Sequence, residues 1–280
     1  MNEFCFINGE IKSISEGSIN VKDLALQRGY GVFDFVRTYS GKLFHFEDHI
    51  ERFKHSAGEL YLKLNYTNDE IKGNAETLIN KGGLTNPAIR LILTGGYSST
   101  RSSSLNPNFI MIAEELPVYP KELYTAGAKL ITVKYQRELP RAKTINYLND
   151  IRLNPLRHEN KAFDVLYYSE NGITECPRNN FFIFKDDTLI TPIDYLLLGV
   201  TRKVVLKIAG SVCVIEERKL ELNELKTADE AFITSTTKGI MPVTIIDDNN
   251  IGSGKVGEKT KKLMELFEKY VADYKSSVSN

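Results

Sequence analysis

Long apolar runs are missing from this sequence: none approaches the roughly 20 residues needed to cross a bilayer. That sets aside a membrane-spanning protein. The opening, "MNEFCFINGE", enters an alternating strand pattern at once and shows no basic-then-apolar order of a secretory signal. Cysteine is scarce. Cys5, Cys176 and Cys213 are odd in number and far apart, which argues against a disulfide framework or a zinc cluster and fits a reducing cytoplasm. Neither charge is in excess, with 36 basic and 36 acidic residues, so the chain carries no electrostatic footprint for DNA or RNA. G-x-x-x-x-G-K-[ST] is absent, which argues against a P-loop fold. No G-x-S-x-G elbow occurs either.

What is present reads as mixed α and β in both halves of the 280 residues, without a regular βαβα alternation. "EFCFINGEIK" alternates around an Asn8-Gly9 turn, a hairpin signal. "GVFDFVRTYSGKLFHF" reads as two strands joined at Ser40-Gly41. "FEDHIERFKHSAGELYL" places Ile50, Phe53, Ala57 and Leu60 on one helical stripe, and "TNDEIKGNAETLINKG" is a second helix with a cap-like start and a glycine end. "NPAIRLILTGG" and "NFIMIAEEL" are strands, with the polar loop "YSSTRSSSLNP" between them. Prolines in "LPVYPKEL" mark a boundary at residues 118–122 between a smaller α/β domain, 1–117, and a larger β-rich domain, 123–280. "GVTRKVVLKIAG" and "KVGEKTKKLMELFEKYVADY" are the helices of the second domain, the last with Leu263, Phe267, Tyr270, Val271 and Tyr274 on its inward stripe.

A few residues invite a chemical reading beside a bland one. His45 and His49 stand four apart with His55 beyond, but no carboxylate completes a zinc pattern, so no metal is expected. Arg90 sits inside a strand apolar on both faces, where a guanidinium needs an acidic partner: an internal Asp or Glu, or a substrate carboxylate gripped by its fork. Glu175, just before Pro177 and an apolar run, is placed for burial and wants a cationic or protonated partner, for which neighbouring Arg178 is the plain structural choice. "LGVTRKVV" opens a helix at Gly199, leaving amides that suit a phosphate. "TSTTKG", residues 234–239, gathers hydroxyls at a strand end. Lys143, in "LPRAKTINYLND", lies in a connector and by itself reads as a solvated surface lysine.

Taken in order, "FINGEI", "GVFDFVRTYSGKLFHFEDHIERFKHSA", "AKTINYLND", "GITECPRNNFFIF", "TLITP", "LGVTRKVV", "FITSTTKGIMPV" and "GKVGEKTKKL" resemble the class IV aminotransferases, the pyridoxal-phosphate enzymes of fold type IV. The resemblance covers nearly the whole chain. It implies a two-domain α/β architecture, with a pseudo-barrel second domain carrying the cofactor lysine. It also implies a transaminase that moves an amino group between an amino acid and a 2-oxo acid in two half-reactions. Lys143 matches the Schiff-base lysine, Glu175 the carboxylate on the pyridine nitrogen and Arg52 the phosphate-binding arginine. Val200 and Thr201 match the phosphate cup. Thr236 matches a further phosphate contact, with Thr237 and Arg178 beside the cofactor. The family resemblance also implies at least a homodimer, in which loops near Arg28 and Arg101 complete the neighbour's site.

Within the family, the loop "YSSTRSSS" keeps Arg101 but has Ser103 where D-amino-acid enzymes carry a histidine, and Phe33 replaces their tyrosine. Branched-chain enzymes resemble this chain at Arg37 and Arg90, yet Ala88 stands where they have tyrosine. Arg28 takes a position usually aromatic and, with Arg90, forms a candidate two-guanidinium clamp for the substrate carboxylate. "TSTT" and "GKVGEKTKKL" lean towards D-amino-acid transamination. The alternatives are an L-branched-chain aminotransferase, an aminodeoxychorismate lyase, and a binding protein of this fold without turnover.

Overall fold

The computed structural model describes residues 3–97 and 106–277. The chain forms two compact units, one of residues 1–117 with 142–146, the other of residues 118–141 with 147–280. Lys143 therefore belongs by its contacts to the first unit, whereas the sequence reading carried it in the second. The five residues around it leave the second unit's chain path and pack on the first.

In the first unit, β1 (Phe4–Ile7) and β2 (Glu10–Ser13) form the hairpin at Asn8-Gly9, both residues with positive φ (51° and 103°), as a tight turn of this hand requires. Short α1 (Leu24–Arg28) precedes β3 (Gly31–Tyr39), which turns at Ser40-Gly41 into β4 (Lys42–Leu43). Helices α2 (Phe46–Glu59) and α3 (Asn68–Gly82) follow, then β5 (Pro87–Thr94) and β6 (Phe109–Glu115). The strands make a six-stranded antiparallel sheet in the order β2-β1-β6-β5-β3-β4. The apolar stripe of α2 supplies its core: Ile50, Phe53, Ala57 and Leu60 are all buried with Ile89, Leu91 and Met111 of the sheet. Helix α3 starts at a capping box, in which Thr67 and Glu70 satisfy each other's backbone amides.

The second unit begins with α4 (Glu122–Thr125) and β7 (Ala128–Lys134). After the Lys143 segment come two short helices, α5 (Leu148–Arg152) and α6 (Asn154–Glu159). Then follow β8 (Asp164–Ser169), β9 (Gly172–Ile173), β10 (Glu175–Cys176), β11 (Asn179–Lys185) and β12 (Thr188–Thr191). Helix α7 (Val200–Ala209) leads to β13 (Val214–Glu217), β14 (Glu230–Ser235), β15 (Gly239–Ile246), β16 (Asn249–Asn250) and the closing α8 (Glu258–Ser277). A ten-stranded sheet runs β13-β12-β11-β14-β15-β7-β8-β9, with β10 paired to β11 and β16 to β15. It is mixed: β12–β13, β15–β7 and β7–β8 are parallel and the other pairs antiparallel. Phe181, Ile183, Ile233 and Met241 are buried at its centre, and α8 turns Leu263, Phe267 and Val271 inward. No helix among the described residues is long and apolar enough to cross a membrane.

Candidate active site

In the first unit the alternation of β3 sorts its side chains. Val32, Asp34 and Val36 are wholly buried on one face, while Phe33, Phe35 and Arg37 occupy the other. A carboxylate between two buried valines must find partners, and α2 delivers them. Asp34 Oδ1 takes the Nδ1–H of His49 at 2.7 Å and Nη2 of Arg52 at 2.8 Å, and its Oδ2 takes Nε of Arg52 at 2.9 Å. Burial alone would raise the Asp34 pKa, but the guanidinium and the imidazole more than offset it and hold the group well below the usual carboxylate range. Burial lowers the pKa of His49 despite the carboxylate beside it. The trio is therefore an Asp–Arg ion pair with a neutral imidazole donor. Arg52, which sequence pattern alone reads as a solvated helix residue, is instead fixed in direction by a buried acid. His49 spends its Nδ1 on Asp34, and His45 places Nδ1 2.9 Å from Asp48.

Lys143 is held through its backbone on both sides. Its amide donates to Ser56 Oγ of α2 at 3.0 Å, and its carbonyl accepts from the Phe33 amide at 2.9 Å. The Ile145 amide reaches the Gly31 carbonyl at 3.0 Å, and Thr144 bridges Val32. The side chain runs over the ring of Phe33, with Nζ 4.5 Å from its centroid. This is no solvated surface lysine.

For Arg90 the structure supplies the internal acid. Its Nε and Nη2 form a two-pronged pair with Glu114 on β6 at 2.5 and 2.8 Å, while the guanidinium lies 5.0 Å from the Phe35 ring centroid. Arg28 ends α1, is exposed, and gives Nη1 to the Gln27 carbonyl at 2.8 Å. No interaction joins it to Arg90 among the contacts of the described residues, and Glu114 fills the fork that the clamp would have used. Arg37 stacks on Tyr39 at 3.9 Å. Arg101 lies outside the described residues.

In the second unit Glu175 opens β10 and is 4% exposed. Its partner is not Arg178, as sequence adjacency suggests, but Arg137, whose Nη1 meets Oε1 at 3.0 Å; the Leu197 amide donates to Oε2, also at 3.0 Å. Arg178 sits at the tip of the β10–β11 hairpin and turns to buried Asp150, with Nε and Nη2 on Oδ2 at 3.0 and 2.7 Å. Tyr147 stands among Arg137, Glu175, Arg178 and Asp150, and burial pushes its pKa up to about 12. Asp150 and Asp164 share Arg157, and burial raises the pKa of Asp164. Sequence reading missed Arg137, Tyr147 and Asp150. Asp34 carried a legible signal, a charge on the valine face of β3.

Helix α7 starts at Gly199 with no side-chain cap and no acidic residue in its first turn, while Val200 and Thr201 are buried. A helix N-terminus carries partial positive charge and normally attracts acids there. This one has none, which suits an anion at its first amides. Thr236 and Thr237 form the turn from β14 to β15. Thr237 Oγ1 lies 3.3 Å from the Tyr119 hydroxyl.

The first unit thus offers a primary amine with both backbone groups fixed, and the second unit offers a buried carboxylate and an acid-free helix start. The Amino-transferase class IV family model matches residues 31–246, and the chain belongs to that family. Over 276 residues it is 31% identical to a D-alanine aminotransferase of Staphylococcus epidermidis, covering 96% of this chain and 98% of that protein. The D-alanine aminotransferase of Listeria monocytogenes is 30% identical over 271 residues, 93% of each chain. Among solved structures, a T.th. branched-chain amino acid aminotransferase with pyridoxamine 5'-phosphate superposes with a TM-score of 0.89 at 25% identity, over 97% of this chain and 94% of that one. The protein is a pyridoxal-phosphate-dependent transaminase of fold type IV. Its residues fit the cofactor: the uncapped, acid-free start of α7 suits a phosphate, and Glu175 suits a protonated ring nitrogen.

Proposed function

We propose that this enzyme transfers the amino group of D-amino acids to 2-oxo acids, with Lys143 as its catalytic base. The observation that carries the stereochemical choice is the near full-length similarity to proteins named D-alanine aminotransferase. The cofactor, when bound, supplies an electron sink that makes a proton on the substrate Cα removable.

The chain's own groups then divide the work. Lys143 Nζ anchors the cofactor aldehyde and afterwards takes and returns the Cα proton. Both its backbone groups are tied, so the amine swings from a fixed base. Glu175 neutralises the ring nitrogen's charge, and its aim is set by Arg137 and the Leu197 amide. Val200 and Thr201 amides, with Thr236, receive the phosphate. Arg52, held in direction by Asp34, supplies the balancing positive charge. Thr237 and Arg178 are assigned to the cofactor's surroundings by the family resemblance. Phe33, under the Lys143 amine, limits the room beside it.

For the substrate carboxylate, Arg28, Arg37 and Arg101 remain the cationic candidates of the proposal, because Arg90 is engaged by Glu114. An L-branched-chain specificity is the second reading, favoured by the likeness to the T.th. enzyme. We also propose a cytoplasmic homodimer. Leu148 and Ile151, one turn apart on α5, are 64% and 59% exposed, an apolar pair suited to a second copy. A molar mass near that of one chain in solution at working concentration would rule the dimer out.

The specificity test mixes the loaded enzyme with single amino acids and follows the loss of its visible absorbance. D-alanine should bleach it. Bleaching by L-leucine or L-valine alone overturns the D assignment, and pyruvate and 4-aminobenzoate formed from aminodeoxychorismate identify a lyase. Lys143→Ala should abolish the visible band. A protein whose band survives that change does not use Lys143 as proposed.

A further inference from the structure

Pyridoxal phosphate is a rigid body, so the group that meets its ring nitrogen and the amides that meet its phosphate must be held at a fixed spacing. In the second unit both depend on one short segment, residues 197–199. The Leu197 amide donates to Glu175 Oε2 at 3.0 Å. Two residues on, Gly199 is the cap from which α7 starts.

That segment is gripped by one side chain. Asn180 is 5% exposed, and its Nδ2 donates to the Leu197 carbonyl at 2.8 Å. A Cβ built on Gly199 would lie 2.1 Å from Asn180 Oδ1, far inside van der Waals contact. Gly199 has ordinary φ (−70°), so it is the closeness of Asn180 and not backbone strain that demands glycine here. Asn180 is itself fixed by the sheet: it pairs directly with Glu175 on β10 and with Thr234 on β14, so the three side chains share one face of three strands. Thr234 is buried, and its Oγ1 finds no hydrogen-bond partner.

We propose that Asn180 is a positioning residue, setting the distance between the Glu175 carboxylate and the first amides of α7 so that one rigid cofactor satisfies both at once. The inference rests on the roles given above to Glu175, Val200 and Thr201. Asn180 does not touch the reacting atoms in this account; it acts through the Leu197 carbonyl and the Gly199 backbone.

The test compares ligands that need one end with a ligand that needs both, using the full-length chain freed of cofactor. In Asn180→Ala, pyridoxal 5'-phosphate should bind at least tenfold more weakly. Inorganic phosphate, which meets only the α7 end, should keep its affinity within about twofold. The advantage of pyridoxal 5'-phosphate over unphosphorylated pyridoxal should shrink by a similar factor, and the pH midpoint of the loaded enzyme's visible band should move. Gly199→Ala should reproduce these losses. The double variant should be no worse than Asn180→Ala, because removing the amide makes room for the new methyl. Unchanged affinity ratios and midpoint in Asn180→Ala, with only a lowered melting temperature, overturn the proposal. So does strict additivity of the two substitutions. If the wild-type chain fails to bind pyridoxal 5'-phosphate at all, the site assignment fails first, and that outcome is separate.

Discussion

A buried carboxylate has to be given donors, and those of Glu175 include the charged Arg137 and the neutral Leu197 amide. Arg137→Met should therefore cost about 3–5 kcal/mol, because it strands a charge in the interior. Removing both partners in Arg137→Met/Glu175→Gln should recover part of that loss, which urea titration of the cofactor-free chain can measure. At Asp34 and His49 the folded state lowers both pKa values, so each contributes stability above its unfolded pKa and loses it as pH falls. For His49 that window opens below about 6.5, and for Asp34 below about 4. His49→Asn, which keeps a donor for Asp34, should flatten the decline in melting temperature between about pH 6.5 and 5. An unchanged slope would mean that His49 does not titrate in this range. These partnerships divide by how far apart their members lie in the chain. Asp34 was missed although its place between valines could have marked it, whereas Arg137 lies 38 residues from Glu175, and no local pattern links them.

Helices α2 and α3 were legible because each carries its own evidence: an apolar stripe at helical spacing, and a capping box with a glycine end. Thr67→Ala should cost about 1 kcal/mol by removing the cap of α3. Phe53→Ala should cost about 3–5 kcal/mol, since Phe53 is wholly buried at the centre of the α2 stripe. Both are read from chemical denaturation midpoints, and a small loss at Phe53 would mean that the α2–sheet core collapses to fill the space. The strands β9, β10, β13 and β16 were not legible. Two to four residues long, they are too short to show a period of two, and β13 is mostly exposed. Their positions come from neighbours, as β10 is a strand because β11 offers it a partner. Helix α7 was visible from its glycine and its length. Its meaning as an anion site was not, because every helix has an N-terminus.

Across the whole molecule, composition and element pattern pointed to a mixed α/β chain with a break near residue 117, and the contacts put a unit boundary at Pro117. They could not show that the Lys143 segment crosses back, because membership of a unit is decided by which backbone a strand-like stretch pairs with. The ordered motifs were enough to name the family, since they recur in fixed sequence regardless of packing. Local periodicity and turn chemistry were sufficient for the helices and strands, and the resemblance of the ordered motifs for the lysine, the acid and the helix start of the site. Tertiary structure alone decided the pairings: Arg52 with Asp34, Glu175 with Arg137, Arg90 with Glu114, Asn180 with the 197–199 segment. A buried charge or carbonyl takes the nearest donor in space, and distance in space between residues far apart in the chain is a property of the fold.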